Sequence, residues 1–446
     1  MNTTIPAYAL DVLISLESAG FEAYPVGGCV RDMLLGKAPH DFDVCTNASP
    51  EQTISALSGF TTIPTGLKHG TVTVLSQGEP VEVTTFRTDG EYHDHRRPEQ
   101  VRFVSSLKED LSRRDFTVNA LCLDKNGNVI DMFDGITDLD SGIIRCVGDP
   151  ALRFEEDALR VLRALRFSSV LDFDIEPATA EAVHKKAPLL RFVSAERVFS
   201  ELKKLLTGKR AGDILLEYRD VFALFIPELS ECFDVPQNNP HHMYDVYTHI
   251  CKSVDNIKPD EILRLAMLFH DIGKPRCRTT DINGIDHFKT HPAVGAKMAA
   301  DILSRLRADN DTRELVCEYI AEHDNRLSES RRSVARFISK HSYDFFDNYL
   351  LIRRADTLAQ SDYFRKEKLY DLEVLKSIRD DLLKQEACLK LSDLAADGND
   401  MLALGLSGRQ IGIALHSALL AVVDGTLLNT KEEIIDFAKQ YLTQEK

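Results

Sequence analysis

The chain has 446 residues, 43% hydrophobic and 28% charged, with a formal net charge of −16. Such a length predicts about three domains with a core that needs no staples, and the composition excludes a disordered or fibrous protein; the acidic balance excludes a uniformly basic nucleic-acid binder but leaves room for local arginine clusters that grip phosphate. No apolar run approaches the ~18 residues of a membrane helix, the N-terminus lacks the basic start of a signal peptide, and nine scattered cysteines without a CxxC pair predict reduced thiols in a cytoplasm.

Residues 1–150 read as strands between Gly and Asp turns. Thr71–Leu75 and Val81–Phe86 are β-branched and alternating, which predicts two strands. From 151 onward apolar residues recur every three or four positions, as in FEEDALRVLRALRF, SAERVFSELKKLL and DEILRLAMLFHDIG, which predicts helices. The Pro- and Asn-rich stretch 226–242 reads as a boundary. The expected class is α+β: a mixed head followed by an all-helical body.

The first chemical constellation is Val26-Gly27-Gly28-Cys29-Val30-Arg31, followed by Asp41-Phe42-Asp43. Paired glycines before a helix let backbone N–H groups approach an anion, and Arg31 on the first turn can grip a phosphate oxygen. Asp41 and Asp43 share one face of a strand, where paired carboxylates can hold Mg²⁺ for phosphoryl transfer. Glu82 is the candidate third carboxylate, although a solvent-facing strand Glu would read the same way. Residues 86–98, FRTDGEYHDHRRP, read as a mobile loop. Arg113 and Arg114 beside Asp115 suit a triphosphate and a ribose hydroxyl; a surface ion pair is the alternative.

One helix is expected over Arg153–Arg166, with Asp157 and Arg160 as neighbours three apart. An ionised Asp only accepts hydrogen bonds and Arg only donates. Side by side they favour cytosine and adenine, whose exocyclic amine sits next to a ring-nitrogen acceptor, and disfavour uracil and guanine. A helix laced with Asp–Arg ion pairs is the alternative.

VGGCVRDMLLG…DFDVCT, FRTDGEYHDHRRP, RRDFTVNAL, IDMFDGITDL, EEDALRVLRALRF and SAERVFSEL occur in that order. Together they resemble the class II tRNA nucleotidyltransferase family of CCA-adding enzymes and bacterial poly(A) polymerases. The resemblance implies a polymerase-β-like nucleotidyltransferase head over 1–150 and a base-recognition neck over 151–230. It implies Mg²⁺ on Asp41 and Asp43, and triphosphate held by Gly27, Gly28 and Arg31. It places Arg114, Asp115 and Asn119 at phosphate and ribose, Asp157 and Arg160 at the base, and Arg163 and Arg166 along the nucleotide site. The 86–98 loop would be the element that switches addition from C to A.

Seven of the 14 histidines (241, 242, 249, 270, 287, 291, 323) fall within 241–323. His270-Asp271 ends an apolar helix, where imidazole and carboxylate can share one metal. With His249 upstream and Asp356 downstream, the pattern resembles the HD phosphohydrolases, H…HD…D; His291 and His323 could complete a second metal position. This implies an HD domain over 231–380, carrying a divalent transition metal, and a tRNA-binding helical tail over 381–446. The expected function is template-independent addition of C, C and A to the tRNA 3′ end from CTP and ATP, with no membrane and no protein partner. A poly(A) polymerase or A-only enzyme is the alternative, as is an HD phosphohydrolase whose head only binds nucleotide or RNA.

Overall fold

The computed structural model describes residues 4–89 and 101–444. It divides into two compact units: residues 1–230 with 302–308, and residues 231–301 with 309–446.

The first unit starts from a five-stranded sheet. Its strands are β1 (Ala23–Pro25), β2 (Phe42–Thr46), β3 (Thr61–Gly66), β4 (Thr71–Ser76) and β5 (Glu79–Thr85), in the order β1-β2-β5-β4-β3. Only β2 and β5 run parallel; every other neighbour is antiparallel. Alternation decides which side faces the core. Phe42, Val44, Val72, Val74, Val81 and Val83 are all buried, and the helix Ala7–Ser18, whose Val12, Leu13 and Leu16 are buried, packs against β4 and β5. The two expected strands appear as β4, one residue longer than expected, and β5, which starts two residues earlier and ends one residue sooner, at Thr85. The polar loop starts as strand Arg87–Asp89, paired with Val101–Phe103; its residues 90–98 lie outside the described residues.

Helices take over from Pro150. Helix Leu159–Leu171 packs on helix Ala195–Leu206. The single helix expected over 153–166 is instead two, Pro150–Glu156 and Leu159–Leu171, with Asp157 between them in an extended conformation (φ −133°, ψ 103°). The physical reason is local. The Asp157 carboxylate accepts the Leu159 N–H at 3.1 Å, so a side chain takes over from the helical ladder at this point.

The second unit is helical. Helices Val246–Asp255, Glu261–Phe269, Asn310–Glu322 and Tyr343–Leu358 pack against one another, and Arg365–Lys384 lies along Tyr343–Leu358. Near the chain's end, Gly398–Ala403, Arg409–Val423 and Lys431–Gln444 share a core that includes Met401, Ala414, Ala418, Ile434 and Ala438.

Candidate active site and HD centre

In the head, the parallel register sets Glu82 directly opposite Asp43. Asp41 precedes β2 and is exposed, while Asp43 is half-buried. Burial, then Asp41 and Glu82, push the Asp43 carboxyl up to about 6, with Arg114 opposing. Three carboxylates crowded against their own charge fit a divalent cation, which would relieve it. Among the described residues, the sets whose ligand atoms all lie within 4.8 Å of one another belong to the second unit; the head trio is more open.

The glycine turn sits against this carboxylate strand, since the Val26 N–H donates to the Asp43 carbonyl at 3.0 Å. Gly27 has φ +84°, and a Cβ there would lie 3.0 Å from Arg114 Nη1. Only glycine therefore combines this backbone conformation with room for the guanidinium. Arg113 and Arg114 are not a surface pair. Both converge on Asp110, whose side chain has no exposed area. Burial alone would raise Asp110, but the two guanidiniums outweigh it and hold its carboxyl below the ordinary range.

Four of the remaining expected residues, Arg31, Asn119, Asp115 and Arg163, form one connected chain. Arg31 donates to Asn119 Oδ1 at 2.7 Å, Asn119 Nδ2 donates to Asp115 Oδ1 at 3.0 Å, and Arg163 Nε donates to Asp115 Oδ2 at 2.7 Å. Asp115 is buried, yet Arg163 and Asn119 outweigh the burial and hold it well below the usual carboxylate range. Arg166 pairs with Glu201 at 2.8 Å.

The Asp157 and Arg160 side chains meet other partners, although the Arg160 N–H donates to the Asp157 carbonyl at 3.0 Å. Asp157 Oδ2 meets Arg197 at 3.1 Å, while Arg160 donates to Glu156 at 2.8 Å and to the Arg113 carbonyl at 2.8 Å. Sequence reasoning gave no role to Arg197, Glu201 or Asp110. Their positions inside SAERVFSEL and just upstream of RRD were the available signal, but which arginine meets which carboxylate is decided in space.

In the second unit, four histidines are oriented alike. The Nδ1 atoms of His249, His270, His291 and His323 meet the carbonyls of Ala359, Met267, Phe288 and Ile320 at 3.2, 2.7, 2.7 and 2.6 Å. Each ring thereby keeps Nε2 for a shared target, an arrangement that pre-orients metal ligands. His249, His270, Asp271 and Asp356 converge as one set; Asp271, His291 and His323 converge as a second. Asp271 serves both, with Oδ2 at 3.2 Å from His249 and from His270, and Oδ1 at 3.2 Å from His291. Gly273 makes the second set reachable, because a Cβ there would strike the His291 carbonyl at 2.6 Å. Burial disfavours the imidazolium, but Asp271 and Asp356 outweigh it and push His270 up to about 10. Burial holds His323 below its usual value. Imidazole and carboxylate on one centre fit a divalent metal.

Sequence reasoning also missed Lys274 and Gln360. Lys274 lies 2.6 Å from Asp271 Oδ2 and donates to Gln237 at 2.8 Å. Gln360 donates to Asp356 Oδ2 at 2.9 Å. A cavity of about 280 Å³ opens on Asp271, His291, His323 and Asp356, and Lys274, Lys289, Arg326 and Lys368 also line it.

Residues 23–145 match the Poly A polymerase head domain, 172–233 the probable RNA and SrmB-binding site of polymerase A, and 241–369 the HD domain. The CCA-adding enzyme of Streptococcus mutans is 35% identical over 97% of this chain and 96% of its own; that of Leuconostoc mesenteroides is 34% identical over 99% of both. The chain belongs to the CCA-adding enzyme family. The family's members are nucleotidyltransferases, and one from Streptococcus suis is 54% identical over 198 residues, a match that spans only about half of that relative (49% of its length). Among solved structures, a Bacillus stearothermophilus CCA-adding enzyme in complex with CTP covers 98% of both chains at 28% identity with a TM-score of 0.70. A Thermotoga maritima CCA-adding enzyme complexed with tRNA shares the fold, with a TM-score of 0.60 at 21% identity. No helix among the described residues is long and apolar enough to cross a membrane.

Proposed function

We propose that this chain adds C, C and A in turn to the 3′ end of tRNA, without a nucleic-acid template, taking CTP and ATP and releasing pyrophosphate. The observation that carries this reading is the Asp43–Glu82 alignment beside Asp41, at the foot of a buried arginine network and in a family whose CTP-bound member covers 98% of this chain. The terminal 3′-hydroxyl attacks the α-phosphate and pyrophosphate leaves. Asp41 and Asp43 would hold Mg²⁺, with Glu82 alongside, and the ion supplies charge neutralisation at the phosphoryl oxygens. Gly27, Gly28, Arg31, Arg114, Arg163 and Arg166 bind the triphosphate. Asp115 and Asn119 orient the ribose while fixing Arg163 and Arg31. Asp157 and Arg160 read the base edge, with Arg197 fixing the Asp157 carboxylate.

We assign the head to 1–150, the neck to 151–230, the HD domain to 231–380 and a tRNA-binding tail to 381–446. The setting is a cytoplasm, consistent with nine free cysteines. The deciding experiment gives the protein tRNA lacking CCA, ending in C or ending in CC, with each NTP separately, and sequences the products. Sequential C, C and A supports the reading. Only A, on tRNA ending in CC, indicates an A-adding enzyme, and long A tails indicate a poly(A) polymerase. No addition at all leaves a binding head on an HD enzyme.

A second reading applies to the second unit. The paired metal sets that share Asp271, beside a cavity with four cationic side chains, support a phosphohydrolase dependent on a transition metal. Hydrolysis of phosphomonoesters or 2′,3′-cyclic nucleotides across Ni²⁺, Co²⁺, Mn²⁺ and Mg²⁺ tests it; no turnover and no bound metal would reduce the cluster to a structural remnant.

A further inference from the structure

Three arginines, one from the head and two from the neck, surround one aromatic ring. The guanidinium carbons of Arg31, Arg163 and Arg166 lie 5.1, 5.3 and 4.0 Å from the centroid of Phe167. The ring is almost fully buried, and Phe116 braces it edge-on with centroids 5.7 Å apart. Three like charges around one point repel one another, and the partners on hand offset this only in part. Arg31 has Asp32 and Asn119, Arg163 has Asp115, and Arg166 has Glu201. Burial and the charges of Arg163 and Arg31 pull Arg166 down to about 10, so it stays charged at neutral pH while feeling its neighbours. The faces of an aromatic ring attract cations without neutralising them, so a guanidinium held there keeps its charge for an anion.

We propose that Phe167 is a positioning residue for nucleotidyl transfer: its ring gathers Arg31, Arg163 and Arg166 into a single clamp for the triphosphate, independent of which base is attached. This rests on the reading of the head as a nucleotidyltransferase and adds a residue to which no role has been given.

The test compares wild type with Phe167→Leu, Phe167→Met and Phe167→Tyr, each checked by circular dichroism and thermal melting. ATP addition to tRNA ending in CC, and CTP addition to tRNA ending in C, supply KM and kcat. Equilibrium binding of CTP and of CMP separates the triphosphate from the rest of the nucleotide. A folded Leu or Met variant should raise KM for CTP and ATP alike by about tenfold, with kcat within about threefold. It should weaken CTP binding but not CMP binding, and leave discrimination against UTP unchanged. Phe167→Tyr, which keeps the ring, should restore KM. The proposal is overturned if a folded Leu or Met variant keeps the wild-type KM, if CMP weakens as much as CTP, or if only one nucleotide is affected. If neither Leu nor Met folds, the tyrosine variant decides: a tenfold rise in KM there would place the residue's role in shape rather than in its π face. Failure of the transferase reading looks different, because wild type itself would then add nothing to any tRNA end, whatever its affinity for CTP.

Discussion

At the scale of single residues, the head depends on carboxylates whose neighbours have set their charge. On the proposed reading one metal site serves every addition, so Asp41→Ala or Asp43→Ala should remove C and A incorporation together and leave tRNA binding largely intact. A variant that kept more than about a tenth of the wild-type rate, a loss of only ~1.4 kcal/mol, would contradict the assignment. Asp115 makes a different prediction. Its carboxyl lies below the ordinary value because Arg163 and Asn119 outweigh its burial. A depressed carboxylate contributes stability above its unfolded value, 3.8, and that contribution is lost as the pH falls through the folded value. Asp115→Asn should therefore lower the melting free energy at pH 7 by ~3 kcal/mol, the usual cost of stranding a buried charge, and weaken CTP binding as Arg163 loses its anchor. Melting curves between pH 7 and 3 should show the gap between variant and wild type narrowing below about pH 4; a constant gap would mean that the loss comes from packing alone.

Among the elements, the segment around Asp157 shows what a sequence can and cannot display. The apolar positions from Phe154 to Leu165 keep their helical spacing across the break, so periodicity reads straight through it. The interruption comes from one carboxylate capping Leu159 and meeting Arg197, and Arg197 is forty residues away. The paired aspartates and the His-Asp dipeptide were legible because their spacing is itself the chemistry. The partner of Arg166 was not, because Glu201 arrives from another helix; Arg113 and Arg160 turn to Asp110 and Glu156, three and four residues away, out of several carboxylates that the sequence places within the same reach. Since Asp157 works both as a cap and as a candidate base reader, Asp157→Ala should cost about 1 kcal/mol in stability and relax selection against UTP and GTP more than it slows CTP and ATP addition. Single-nucleotide incorporation with all four NTPs checks this, and unchanged discrimination would leave the residue a cap only.

For the whole molecule, two constellations with different ligand chemistry occupy two separately packed units. Removing one should spare the other's chemistry. His270→Ala combined with Asp271→Ala should abolish transition-metal binding and any hydrolysis that depends on it, while CCA addition stays within a few-fold in protein that circular dichroism shows to be folded. Loss of addition in a folded double variant would tie the HD residues to transfer itself. The register of β2 against β5 carries a last consequence, for how reliably the active head is made. Asp43 faces Glu82 in the same ladder that seats Phe42 beside Val81 and Val44 beside Val83. A chain that zipped these strands one residue out of step would separate the carboxylates and, in the same movement, turn two valines toward water. Misaligned copies of the active site are thus poorly folded copies of the protein, so quality control that senses exposed valine would remove inactive molecules without ever testing their activity.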